Sequence, residues 1–228
     1  MKNIFFRSNL LLILLLFTRL SIAQEPNRSA LQFRFSPLSL FDPRAATIQL
    51  GIQGTIQNKI GLSVDYGIPY KGLAKTIFQN PENRYGYHDY YKLRAELKYF
   101  MQPDWLKGDE KSKLYFSAEA FHSPEEYQKI DSWLLKEDEN YYYEYSDVNR
   151  QLWGGCIKVG QEYIVFRRLI LDNFVGLGLR WITIDHQIFG ENIEPPTRFS
   201  FGSVDNREGS FTRPHLALGA KIGFVLVK

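Results

Sequence analysis

Cysteine is nearly absent from this chain: Cys156 is the one such residue in 228. A lone thiol cannot form an intramolecular disulfide, which excludes a disulfide-stapled scaffold. Long apolar runs are missing too. The longest, Leu10 to Phe17, falls well short of the roughly 20 residues that a membrane-spanning helix takes. Excess charge of one sign is also lacking once the first 23 residues are set aside. They hold Lys2, Arg7 and Arg19 and no acid, so 28 bases less these three leaves 25, against 25 acids. That balance excludes the basic footprint of a nucleic-acid binder. No phosphate-cradling glycine loop, zinc-ligand spacing or carboxylate pair of defined geometry occurs, so neither a metal nor a cofactor is expected.

Those first residues have the layout of a secretory signal: a short basic start, the Leu10–Phe17 run, and small residues at Ser21-Ile22-Ala23. Residues 1–23 are therefore expected to be cut after Ala23, leaving residues 24–228 as one domain. Gln24 stands where a lipid-anchored protein would carry cysteine.

What the mature chain has in abundance is alternation. In Ala46, Ile48, Leu50, Ile52 every second residue is apolar, and after Gln57-Asn58-Lys59 the pattern resumes through Ile60, Leu62, Val64, Tyr66 and Ile68. Successive strand side chains point to opposite faces, so this is a hairpin with one apolar and one polar face. A first strand runs from Leu31 to about Leu40; others follow over 91–101, 114–120, 153–165, 169–181 and 216–226. Ser123-Pro124-Glu125-Glu126 suits either a helix start or an extended hairpin. Eight strands result. Their connections (41–44, 57–59, 69–89, 102–111, 122–147, 166–168, 185–213) place compact turns at one end and most of the long loops at the other. The expected fold is all-β: an eight-stranded, up-and-down, antiparallel transmembrane β-barrel with both termini periplasmic.

The polar face decides its setting. It carries Arg34, Asp65, Arg94, Glu96, Lys98, Glu119, Lys158, Glu162, Asp172, Arg180 and Lys221, while the apolar face is rimmed by Tyr70, Tyr99, Trp153 and Trp181. Aromatic rims of this kind mark lipid-facing barrels. The charged face is then the lumen. An eight-stranded interior is just wide enough for side chains to fill, so mixed charges there read as a plug rather than a pore. A secreted lipocalin-like binder would need the two faces exchanged.

The stretches Phe35-Ser36-Pro37-Leu38 … Asp42-Pro43 … Gln49-Leu50-Gly51-Ile52, Tyr91 to Tyr99 and Val175 to Arg180 resemble small outer-membrane barrels of Gram-negative bacteria, similar to the barrel part of OmpA-type proteins. The resemblance implies an outer-membrane location and a fold without a defined activity. The partners it implies are outer-membrane lipids, the barrel assembly machinery and an unidentified extracellular ligand of the loops.

The alternative chemistry rests on histidines. His88, His122, His186 and His215 all fall near strand ends on the long-loop side, with His88, His186 and His215 on the inward parity. His186 and His215 lie on neighbouring strands, where a pair could bind metal or serve as base to Ser210. That would make the chain an outer-leaflet lipid-modifying enzyme of the lipid A deacylase kind, although no motif of such enzymes is present. Clustered tyrosines at 141–145 among acids would suit sugar stacking or loose Ca²⁺ binding, or simply cover one another on an extended hairpin. Cys156 reads as a small lumenal filler.

Overall fold

The computed structural model describes residues 30–42, 44–70, 85–101, 111–136, 139–165, 168–192 and 204–227. The expected signal segment lies outside them. The described residues form β1 (Ala30–Phe35), β2 (Thr47–Ile56), β3 (Ile60–Pro69), β4 (Tyr85–Tyr90), β5 (Lys92–Met101), β6 (Ser112–Lys136), β7 (Glu139–Ile164), β8 (Leu169–Asn192) and β9 (Gly209–Val227). All nine belong to one antiparallel sheet, and two short 3-10 turns, Pro37–Phe41 and Val204–Asn206, are its only helical pieces among the described residues.

The strands run up and down in sequence order. Pairing of β1 with β9 and of β6 with β7 joins β1, β2, β3, β5, β6, β7, β8 and β9 into a closed ring. The ninth strand, β4, falls in the stretch 69–89 that the sequence pattern assigned to a loop. It continues β5 rather than adding a rail to the ring. Leu93 pairs with His122 and Tyr90 with Glu125 in one register, which sets Tyr91 opposite Pro124. Proline has no N–H for the ladder at that level, and the Ser123 hydroxyl instead donates to the Tyr91 carbonyl at 3.2 Å.

Two further boundaries differ from the sequence reading. β1 stops at Phe35 rather than near Leu40, because Pro37 opens a 3-10 turn that the Ser39 hydroxyl braces by donating to Ser36 O (2.6 Å) and Thr47 O (2.7 Å). Ser123-Pro124-Glu125-Glu126 forms strand, not helix: β6 and β7 make one hairpin paired from Ser112↔Tyr163 to Lys136↔Glu139. The β2–β3 connection is the three residues between the paired Ile56 and Ile60, and it turns through Gln57 and Asn58, both at positive φ (51° and 55°).

β6, β7 and β8 outreach the rest of the ring, and their two faces exchange character along the way. In the lower part Ile157 and Leu177 point outward, 69% and 70% exposed, while Lys158 and Asp172 point inward at 0% and 2%. In the upper part Glu126, Asn149, Asp185 and Gln187 are outward and exposed. Phe121, Tyr127, Val148, Leu152, Ile182 and Ile184 pack together inside, with Phe211 against them.

Candidate functional site

The lower interior is a polar network to which every rail of the ring contributes. Arg34 of β1 bonds Asp172 of β8 and Gln53 of β2 (2.6 Å). Asp172 also accepts from Lys98 Nζ (2.6 Å) and the Tyr115 hydroxyl (2.6 Å). Glu162 of β7 accepts from Lys98 (2.8 Å) and Gln53 Nε2 (3.0 Å). Glu96 of β5 is surrounded by Lys158 (2.7 Å), Lys221 (3.3 Å) and Arg34 (3.7 Å), and accepts from Ser117 Oγ at 2.8 Å. Lys221 of β9 reaches Asp65 of β3 at 2.7 Å, and Lys158 reaches Glu119 of β6 at 2.6 Å.

Its charges balance. Arg34, Lys98, Lys158, Lys221 and Arg94 face Asp65, Glu96, Glu119, Glu162 and Asp172, Arg94 joining through Glu119 at 3.3 Å. Stripping one buried partner would leave an uncompensated charge, so this arrangement persists only as a unit. Tyr115 and Phe174 fill the remaining width, with Lys98 over the Tyr115 ring (4.0 Å to its centre) and Lys158 over Phe174 (4.4 Å). Cys156 is buried in the same wall, its Sγ 3.9 Å from Glu119.

Arg180 shares the inward face but stands apart from that network, half-buried, with no carboxylate among the described residues paired to it. Its Nε is buried and unpartnered. The pattern of alternation identifies its face correctly; only the register shows that Glu96 and Glu119 fall one inward row below it, where Lys158, Lys221, Arg34 and Arg94 already hold them.

A second polar group closes the upper end. Glu125 of β6 accepts from Arg44 Nε (2.8 Å) and from Arg150, with His88 3.8 Å away. Arg44 Nη1 also reaches Asp205 of the upper 3-10 turn at 2.6 Å, and Lys129 donates to Asn206. His186 Nε2 donates to the Asp205 carbonyl (2.9 Å), so its Nδ1 is the acceptor for the Ser146 hydroxyl (3.1 Å). This cluster went unnoticed in the sequence because Arg44 and Asp205 come from connections, where no periodicity marks an inward residue.

The histidines do not converge. His186 lies beyond the Ile184↔Gly209 pair at the top of β8, whereas His215 pairs with Gly178, eight residues lower on the same strand. At about 3.4 Å per residue that is some 27 Å. His215 packs on Phe121 at 4.6 Å, and His88 on Tyr90 at 4.5 Å. His122 points outward and stacks on Trp153 with ring centres 3.8 Å apart. Ser210 faces outward, where its hydroxyl meets Thr183 Oγ1 at 3.0 Å, on the opposite face of β9 from His215. The expected approach of His186 to His215, and of His215 to Ser210, is thus overturned by register and parity. Among the described residues no three His, Cys, Asp or Glu side chains gather as metal ligands.

On the outer face the aromatic residues form a continuous path. Tyr66 stacks on Tyr91 (5.8 Å), Tyr91 meets His122 edge-on (6.0 Å), His122 stacks on Trp153, and Trp153 pairs across the ladder with Trp181. The path lies where the apolar belt gives way to the polar extension. In the tyrosine cluster Tyr143 is fully buried and Tyr145 stacks on Phe189 at 4.9 Å, while Tyr141 is exposed. Residues 137–138 lie outside the described residues.

No family model and no curated protein matches the chain. Among solved structures, the crystal structure of Neisserial surface protein A aligns over 86% of this chain and 94% of its own, at 14% identity and a TM-score of 0.34. At that score the likeness carries no argument, and the functional reading rests on the residues themselves.

Proposed function

We propose that this protein is a small outer-membrane β-barrel, non-enzymatic, whose charged lumen is plugged and whose upper extension presents loops to the cell exterior. The observation that carries the reading is the exchange of faces along β6, β7 and β8. A sheet standing wholly in water would keep its apolar residues inside throughout; here that holds only for the upper part. Below it the outside is aliphatic and the inside ionic, and a band of exposed Leu, Ile and Val circles the ring. Contiguous apolar surface on that scale requires an apolar solvent, and a closed ring leaves no backbone edge unpaired in lipid. No helix among the described residues is long and apolar enough to span a membrane, so the strands do the crossing. The path from Tyr66 to Trp181 is then the upper interfacial girdle, with Tyr99 and Tyr163 at the lower one.

In this orientation Ala30, Val227 and the 57–59 turn face the periplasm, after removal of residues 1–23. The partners are outer-membrane lipids, the machinery that assembles such barrels, and a ligand of the upper loops. Nothing in the placement of the histidines or Ser210 favours lipid hydrolysis.

The test is fractionation combined with single-cysteine labelling in a Cys156→Ser background. The protein belongs in the outer-membrane fraction and migrates differently on gels before and after boiling. Probes at Leu97 and Leu177 are quenched by lipid-embedded quenchers, and probes at Asn149 and Gln187 are not. A freely soluble mature protein, or quenching at Gln187 but not Leu177, refutes the reading.

A further inference from the structure

The inward surface between the two polar groups is cationic and incompletely neutralised. The ladder places Arg94, Phe121, Gly154, Arg180 and Arg213 in one inward row across β5 to β9, and Glu96, Glu119, Cys156, Gly178 and His215 in the row below. Arg180 and Arg213 are direct cross-strand partners on the same face. Like charges so placed, with Cβ atoms roughly 5 Å apart, repel one another. No carboxylate among the described residues pairs with either. Glu119 is the acid nearest His215 and is already committed to Lys158 and Arg94. Arg180 Nε and His215 Nε2 are both buried without a hydrogen-bond partner, although buried donors are normally satisfied.

We propose that Arg180, Arg213 and His215, backed by Arg94, form an anion-binding site for a phosphate-type oxyanion. A guanidinium presents N–H donors in a planar fork that matches phosphate oxygens, and an oxyanion between Arg180 and Arg213 converts their repulsion into two attractive contacts. Gly154 and Gly178 add no side chains of their own to those rows; the Phe121 ring lies over Gly154 and forms an apolar wall of the site. On one side this row is not walled by a paired strand. β9 pairs with β1 only from Ile222 to Val227; higher up it has β8 on one side and the Pro37–Phe41 turn, not a strand, on the other. Arg213 is correspondingly exposed, and Arg180 and His215 are half-buried. Arg213 follows Thr212, the cross-strand partner of Trp181, at the level of the girdle, so the phosphate can come from a solute or from the headgroup of a neighbouring lipid.

Folded full-length protein in neutral detergent is titrated calorimetrically with inorganic phosphate, and separately with phosphatidic acid in mixed micelles against diacylglycerol. Saturable one-to-one binding of at least one phosphate probe is expected, weakened about tenfold or more in Arg213→Gln and Arg180→Gln. Arg180→Lys, which keeps the charge but loses the fork, falls between. Lys59→Gln, at the opposite end of the ring, binds as wild type. Binding of inorganic phosphate identifies a solute site; binding of phosphatidic acid alone identifies a lipid site. Arg213 is exposed, so Arg213→Gln decides the question even where Arg180→Gln fails to fold, folding being read from unboiled gel mobility. The proposal is overturned if neither probe binds saturably, or if Arg213→Gln binds as tightly as wild type. Because the titration is done in detergent, its failure would leave the membrane assignment standing.

Discussion

Leu177→Arg separates a lipid-facing ring from one standing in water. Leu177 is 70% exposed, midway along the apolar stretch of β8, with Val175, Leu179 and Trp181 on the same outward face. If water lay outside, an arginine there would be an ordinary surface substitution, within about 0.5 kcal/mol of neutral. If the bilayer midplane lies there, the cost is roughly 2–4 kcal/mol, falling to about 0–1 near the interfaces. The structure supplies the gradient. Asp185, on the same face, is eight residues further along β8. That is about 27 Å of strand and some 20 Å along the membrane normal at a tilt near 40°, well past the girdle residue Trp181.

Arginine is therefore placed in turn at Val175, Leu177, Trp181, Asp185 and Gln187, and unfolding by urea is followed by tryptophan fluorescence in lipid vesicles. The expected profile peaks at Leu177 and reaches zero by Asp185 and Gln187. A flat profile, or a loss at Gln187 equal to that at Leu177, refutes the membrane reading. Gly178, one residue from Leu177 on the inward face, makes a poor control: an added Cβ would run into the Gly155 carbonyl oxygen and the Cys156 side chain.

Glu96→Gln removes one charge from among Lys158, Lys221 and Arg34 and should cost about 3–5 kcal/mol. The same urea titration checks it, and adding Lys158→Met should cost less than the two single losses together. Reconstituted wild type should carry no steady current in planar bilayers, since charged side chains span the ring from wall to wall; large stable channels would refute the plug. The upper cluster should loosen in acid. Burial opposes ionisation of Glu125, but the neighbouring His88 and the Arg44 and Arg150 guanidinium groups outweigh that and hold its carboxyl down to about 2. A folded value below the unfolded one stabilises above pH 4.5 and is lost as pH falls toward 2, a difference of roughly 3 kcal/mol. Unfolding midpoints between pH 5 and 2 should fall more steeply in wild type than in Glu125→Gln.

Much of the fold was legible because alternation is a two-fold signal that survives burial and exposure alike. The assignment of faces in β2, β3, β5, β7 and β8 needed only parity, and so did the placing of Lys158 and Asp172 inside. What parity cannot convey is where a strand ends. Glu125, Tyr127 and Arg150 continue β6 and β7 past the apolar belt with their inward and outward roles unchanged. Only their residue types exchange, and this looks like loop composition when the strand is expected to stop at the membrane. Pro124 strengthened that impression, although in the sheet it merely interrupts one ladder. β4 was hidden for a related reason: six residues carry too few alternations to stand out.

The site was legible in its members and not in its levels. Eleven charged residues share the inward parity, yet ten of them enter the neutral network while Arg180 does not. Arg94, in the same row, lies beside β6 and reaches its Glu119, whereas the cross-strand partners of Arg180 are Gly154 and Arg213. Such neighbours follow from register, because moving one residue along a strand shifts a side chain by about 3.4 Å and transfers it to the other face. His186 and His215 illustrate the consequence. They sit on neighbouring strands with the same inward parity, and a register that paired them directly would have made a plausible metal or base site. The actual ladder sets them eight residues apart and gives His215 arginines for neighbours. The same ladder brings Arg213 opposite Arg180. Arg213 drew no notice in the sequence because it lies in the stretch 185–213, where Pro195 and Pro196, with Pro214 just beyond, obscure the period. A cationic pair with no acid beside it among the described residues is thus a property of pairing, invisible until the strands are aligned, and it is where the lumen's own charges leave an anion to be supplied from outside.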